Sequence, residues 1–299
     1  MNNLGPLAGR VAGAPISWGV CEAPGWGYEL TAQRVLAEMA RLGLPATELG
    51  PTGYLGPDPL TVRETLAASE LSLVGGFLPV VLHTSEQVDL TQAEHAMRTL
   101  ADAGAEVVVL AADAGPAGYN EKVVLGDTQW RWLLSNLDRV RGLAAELGLT
   151  ATLHPHVGTA IEAADVVYRL LAGSDVPLCL DTGHLAIGGA DPLDLVRKYA
   201  DRIGHVHLKD VRLAVAQVVA EGTESFIDGV RGGLFAPLGD GDLDIAGIVR
   251  ALEASGYRGW YVLEQDATLD EVPEPWTGPI DDVRRSIAYL AQNDSLAKL

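Results

Sequence analysis

The sequence predicts a closed (β/α)8 barrel, and three observations carry that prediction. One unit recurs along the chain: an apolar strand, a polar turn, an amphipathic helix, then glycine and the next strand. Eight such strands can be counted, and eight βα units in 299 residues match a barrel built as one domain over residues 1–299. No G-x-G-x-x-G follows the first strand, which disfavours the open doubly wound sheet that the same alternation would otherwise allow.

The strands are read in order at residues 11–18, 46–50, 73–79, 106–111, 149–154, 177–181, 203–209 and 260–264. Several of these short apolar runs turn polar at the C-terminal end, where a barrel keeps its chemistry. Four joins (ARLGLPATEL, ADAGAEVVVL, AELGLTATLH and EASGYRGWYVLE) put glycine where a left-handed residue ends a helix, just before an apolar run. Thr61-x-x-Glu64 and Thr91-x-x-Glu94 read as capping boxes that start two helices. Trp130, Leu133, Leu134, Leu137, Val140 and Leu147 make one face of a helix that begins near Asp127. Trp260 opens the eighth strand and reads as core. The longest departure from the repeat is an insertion at 211–242, between the seventh and eighth strands. It reads as a short helical stretch followed by the Gly-rich loop GVRGGLFAPLGDGDLD, in a place where loops wall active sites. DGDLD is a tight turn into a helix N-terminus rather than a calcium ladder, because no Glu follows at the required spacing.

Composition narrows the function. The hydrophobic content of 48% supports a large core. A net charge of −19 argues against nucleic acid as a partner, which demands a basic surface, and fits a well-solvated protein. No run of 18 apolar residues spans a membrane, and MNNLGPLAGR lacks the basic-then-apolar pattern of a secretory leader. Cys21 and Cys179 give neither a disulfide framework nor zinc-knuckle spacing. The expected location is cytoplasmic.

Five of the seven histidines fall between residues 154 and 207. His154, Asp181, His207 and Glu264 each stand at or near a strand's C-terminal end. The first two gaps, 27 and 26 residues, are about one βα unit each, so these side chains recur at one height in the barrel. Two imidazoles and two carboxylates form a borderline-hard donor set that suits Mn2+, Co2+, Fe2+ or Zn2+ better than Ca2+ or Cu+. A lone strand-end histidine is more often structural; four convergent donors are not so easily explained. Within HPH either His154 or His156 can be the ligand, and Pro155, which suggests a strand ending there, favours His154. In HVH the C-terminal His207 is favoured, with His205 beneath it.

These motifs resemble the xylose-isomerase-like TIM barrels, and within them the inosose dehydratase (2-keto-myo-inositol dehydratase) family, over nearly the whole chain. The resemblance rests on APISWG (14–19), TELGPTGYLG (47–56), GGFLPVVL (75–82), HPHVGTAIE (154–162), CLDTGHLAIGGADP (179–192), HVHLKD (205–210), FAPLGDGDLD (235–244) and GYRGWYVLEQD (256–266). It implies one divalent ion, Mn2+ or Co2+ ahead of Zn2+ or Fe2+, held by His154, Asp181, His207 and Glu264. Many relatives carry Glu where this chain has His154, so the donor set here is less negative by about one charge. The resemblance also implies a small cyclitol or sugar as substrate, inositol catabolism as the setting, and a homo-oligomer, although no subunit seam is legible.

The reaction so implied removes water from a cyclic keto-polyol by α-proton abstraction and loss of a β-hydroxyl. It needs a base near the α-carbon and an acid near the departing oxygen. His184 is the leading candidate, with His156 and Lys209 as counterparts and Glu264 at the reacting centre. Glu48 is a candidate for holding a hydroxyl or acting as a base, although an ion pair is at least as good a reading. Trp18 and Trp26 are candidates for walling the sugar ring, with core packing the competing role of Trp18. Three alternatives stand beside the dehydratase. A sugar or keto-cyclitol isomerase or epimerase would use the same metal and enolate. A DNA-repair nuclease would need three zinc ions and a basic groove, against the charge. A catalytically silent sugar-binding barrel would have little use for so full a set of ligands and acid/base groups.

Overall fold

The computed structural model describes residues 4–115 and 122–292. Its parallel strands are β1 (Val11–Gly13), β2 (Ala46–Thr47), β3 (Ser72–Leu73), β4 (Gly75–Val80), β5 (Val107–Ala112), β6 (Thr150–Leu153), β7 (Leu178–Asp181), β8 (Ile203–Leu208) and, after a two-stranded ribbon, β11 (Tyr261–Leu263). The order is β3-β2-β1-β11-β8-β7-β6-β5-β4. β3 and β4 are one strand interrupted at Val74. Val74 donates its N–H to the Thr47 carbonyl and accepts from Glu106 and Val107, so it joins the two ends of the order. The nine segments are therefore eight strand positions of a closed barrel, not an open sheet.

Outside the strands run α1 (Ala32–Leu42), α2 (Pro59–Ala67), α3 (Thr91–Ala103), α4 (Asp127–Glu146), α5 (Ala164–Gly173), α6 (Thr182–Ile187) and α7 (Pro192–Tyr199). Alternate strand residues, such as Leu178, Leu180, Val206, Leu208, Tyr261 and Leu263, face these helices in one large core. Gly43, Gly104, Gly148 and Gly256 all take the left-handed conformation expected at the helix-to-strand joins. Both expected capping boxes are corrected. Asp58 caps α2 by accepting from Thr61 N–H, so Thr61 lies inside the helix. Before α3, Asp89 accepts from both the N–H and the hydroxyl of Thr91. Aspartate reaches these exposed amides more readily than the threonines following it.

The insertion contains a ribbon and two helices. β9 (Asp210–Val211) pairs antiparallel with β10 (Phe235–Ala236), and α8 (Leu213–Ala220) and α9 (Phe226–Arg231) lie between them. Asp210 accepts from the backbone N–H groups of Val211, Gly239, Gly241 and Leu243, which folds the Gly-rich loop back onto the barrel. Phe226, Val230, Leu234 and Phe235 then pack with Trp26, Val157 and Ile187 in a second apolar cluster. Asp244 caps α10 (Ile245–Ala254) as the DGDLD turn implies, and α11 (Pro279–Gln292) completes the helical layer. Among the described residues no helix is long and apolar enough to cross a membrane.

One irregularity aims the site. Leu178 pairs with Ile203, but Cys179 pairs with His205, so β8 carries one extra residue, Gly204. The bulge brings Asp181 level with His207 rather than with the helix-facing Val206. A Cβ at Gly204 would stand 2.8 Å from Pro177 Cβ and 2.9 Å from Thr152 Cγ2, closer than carbon atoms pack. Gly204→Ala is therefore expected to destabilise the protein by about 1–3 kcal/mol in urea unfolding. Gly142→Ala, in α4 with nothing within 4 Å of the new methyl, is expected to stabilise by about 0.5–1 kcal/mol. Equal effects of the two changes would contradict the packing described.

Candidate active site

Period-two alternation decides which side chains enter the barrel. Ala12, Ala46, Val74 and Val262 form one small apolar cluster, and Val107, Val109 and Cys179 form another. The next inward positions along the strands are polar: Glu48 after β2, His154 after β6, Asp181 at the end of β7, His205 and His207 on β8, and Glu264 after β11. Small apolar residues thus support a polar rim at the C-terminal ends.

One donor atom each from His154, Asp181, His207 and Glu264 lies within 4.8 Å of the other three. His154 Nε2 is 3.1 Å from Asp181 Oδ2, while His207 Nδ1 is 3.5 Å from Asp181 Oδ2 and 3.2 Å from Glu264 Oε2. His207 Nδ1 is buried without a hydrogen-bond partner. An unsatisfied imidazole nitrogen facing two carboxylates, with His154 Nε2 beside one of them, is what a divalent cation would complete, so the residues present fit such an ion. Of the HPH pair, it is His154 that joins this group.

Lys209 crosses the same space. Its ammonium lies 2.7 Å from Asp266 Oδ1, 3.0 Å from Glu264 Oε2 and 3.4 Å from Asp181 Oδ2. Thr182 fixes its backbone, accepting from Lys209 N–H at 2.8 Å and donating to its carbonyl at 2.6 Å. Burial disfavours the ammonium, but Asp181, Asp266 and Glu264 outweigh it and hold the lysine well above its ordinary pKa. Burial likewise opposes ionisation of Glu264, yet His207 and Lys209 draw its carboxyl down to about 2. Asp266 is the exception: burial, with Glu264 and Asp181 nearby, keeps its pKa raised despite Lys209.

The donors open on a cavity of about 530 Å3. His154, His156, His207, Lys209, Glu48, Glu264 and Asp266 stand in its wall with Trp26, Phe77 and Phe226. His156 donates from Nδ1 to the Val157 carbonyl at 2.7 Å if neutral, which leaves Nε2 as the basic nitrogen. Desolvation first, then His154 and Lys209, pull its pKa down to about 3, so the ring is uncharged.

Two expected substrate-facing residues are not brought to the cavity. Strand one ends at Gly13, and Pro15–Trp18 forms a 3-10 turn in place of further strand. That places Trp18 outside the barrel against α1, where it is fully buried and donates to Glu38 Oε2 at 2.7 Å. His184 sits in the first turn of α6, its N–H capped by Asp181 Oδ1. Its ring stacks on His156 at 3.8 Å, so His156 stands between it and the cavity. Val157 N–H donates to His184 Nδ1, which puts the His184 proton on Nε2, 4.0 Å from Asp266 Oδ2. Trp26 does line the cavity, braced by its N–H on the Ala267 carbonyl and by Phe226. Glu48 lines it as well but is engaged by two histidines. Asp266 and Phe226 are additions to the residues singled out from the sequence. Asp266 shares the face of Glu264 by the period of two, a signal present in YVLEQD. Phe226 reaches the site only through the fold of the insertion.

Removing Lys209 leaves Asp181, Glu264 and Asp266 without their nearest fixed cation. Lys209→Met is expected to destabilise the metal-free protein by about 3–5 kcal/mol. Divalent cations should restore stability to this variant more than to wild type in thermal melts. A loss below about 1 kcal/mol would show that the lysine does not neutralise the cluster.

The family model for the xylose isomerase-like TIM barrel matches residues 33–292. The inosose dehydratase of Geobacillus thermodenitrificans is 34% identical over 264 residues, spanning 85% of this chain and 88% of the relative. That of Geobacillus kaustophilus is 34% identical over 286 residues, or 90% of each chain. Among solved structures an L-ribulose 3-epimerase superposes with a TM-score of 0.69 at 20% identity, covering 97% of this chain and 95% of the other, which supports the fold alone. The chain belongs to the xylose isomerase-like TIM barrel family and, within it, to the inosose dehydratases.

Proposed function

We propose that this protein is a divalent-metal-dependent dehydratase that eliminates water from a keto-cyclitol such as 2-keto-myo-inositol. The observation that carries the reading is the convergence of His154, Asp181, His207 and Glu264 at the wall of a cavity that Lys209 and His156 also line, in a chain of this family. Mn2+ or Co2+ suits the donors best, with Zn2+ or Fe2+ as alternatives. When bound, such an ion supplies Lewis-acid stabilisation of the charge that develops on the ketone oxygen.

This chain's residues supply the rest. The α-carbon of the substrate loses its proton, the electron pair forms the carbon–carbon double bond, and the β-hydroxyl leaves with a proton as water. The resulting enol tautomerises to a 1,2-dione. His156 and Lys209 are the proposed acid/base pair, because both stand in the cavity wall and differ in charge. Glu264 stands at the reacting centre, within reach of both the donor group and Lys209, and keeps the lysine ammonium oriented. His184 supports His156 from behind. Trp26, Phe77 and Phe226 cover the carbon faces of the ring and exclude water. The DNA-repair alternative is disfavoured by the charge of −19.

Metal-loaded protein incubated with scyllo-inosose in deuterated water is expected to produce a dione, seen as new ultraviolet absorption. His156→Ala and Lys209→Met should each lower turnover by about 100-fold or more, and His184→Ala by less. Solvent exchange at the α-carbon without dione would make the protein an isomerase or epimerase. Neither exchange nor dione would overturn both readings, and wild-type turnover in a variant would remove that residue from its role.

A further inference from the structure

Glu48 leaves β2 on the far side of the barrel from β8, with its backbone held in place: its N–H donates to the Gly13 carbonyl at 3.0 Å, and Thr47 Oγ1 donates to its carbonyl at 2.9 Å. Its side chain crosses the interior. A single oxygen, Oε1, lies 2.8 Å from His205 Nε2 and 3.0 Å from His207 Nε2. All three residues are buried.

One carboxylate oxygen set between two imidazole nitrogens at these distances accepts from both, so both Nε2 atoms carry the proton. With Nε2 holding its proton against Glu48, Nδ1 is the nitrogen of His207 left to meet an ion. That atom has no hydrogen-bond partner in the structure and faces Asp181 Oδ2 and Glu264 Oε2. A nitrogen set between two carboxylates is stable there only with a cation, either a proton or a metal ion, among the three. We propose that Glu48 is a positioning residue that sets the tautomer of His207, with His205 as its second anchor, so that His207 presents Nδ1 as the ligand atom. Two histidines are needed because the shared oxygen is fixed from two points on β8, which stops His207 from turning about its χ2 axis. Glu48 thus acts through His207, not on the substrate. The inference rests on the proposed metal site and refines it.

The test uses Zn2+-loaded wild type and Glu48→Gln. Long-range 1H–15N spectra of the wild-type imidazoles should show His207 protonated at Nε2 and zinc-bound at Nδ1. Calorimetric Co2+ titration should show affinity about 10–100-fold weaker in Glu48→Gln. Turnover lost in this variant should return at high Co2+. Zinc on Nε2 of wild-type His207, unchanged Co2+ affinity in the variant, or turnover that stays lost at saturating Co2+ would each overturn the inference while leaving the metal site intact. If wild type binds neither ion, the metal site itself falls and the inference falls with it. The wild-type spectrum needs no variant, so the test survives if Glu48→Gln fails to fold.

Discussion

Carboxylates compressed around one ammonium form the interaction on which the rest of this structure depends. Glu48, Asp181 and Asp266 are buried, Glu264 nearly so, and Lys209 lies among three of them. Burying that many like charges is costly unless cations and N–H donors surround them. The histidines and the lysine are those partners. The arrangement persists because the barrel supplies them from β6, β8 and α6, and its chemical use follows from the same surplus of negative donors.

The fold serves this cluster in layers. Ala12, Ala46, Val74 and Val262 fill the narrow interior with little volume, which leaves the longer polar side chains room at the C-terminal rim. The Gly204 bulge sets Asp181 level with His207. Asp210 ties the Gly-rich loop back, and the insertion lays Phe226 against His156 and His184. Each device acts on the same site: a floor, a register and a cover.

Much of this was legible in the sequence, and the reasons differ by element. Glycine joins and apolar runs mark strands because helix ends and strand starts have strict backbone needs. His154, Asp181, His207 and Glu264 were readable because barrel geometry repeats one height every βα unit. Where the sequence did not show the surroundings of a residue, the deciding contact was nonlocal. Trp18 looked like a strand end, but Pro15 begins a 3-10 turn that reverses its direction. His184 looked substrate-facing, since nothing in LDTGH shows that the ring of His156 will stack in front of it. Glu48 carried no sign that two histidines from the far side of the barrel would share one of its oxygens. Asp58 was overlooked as a cap, and Asp89 as the acceptor of the Thr91 N–H, in favour of the threonines that follow them.

The central claim is that four strand-end donors act as one ion site, and the most direct measurement is the stoichiometry and spectrum of Co2+ bound to the metal-free protein. The account predicts one ion per chain, with visible ligand-field absorption that His154→Ala and Asp181→Asn abolish and Cys21→Ala leaves unchanged. Binding that survives both of the first two changes, or no binding by wild type, would contradict it.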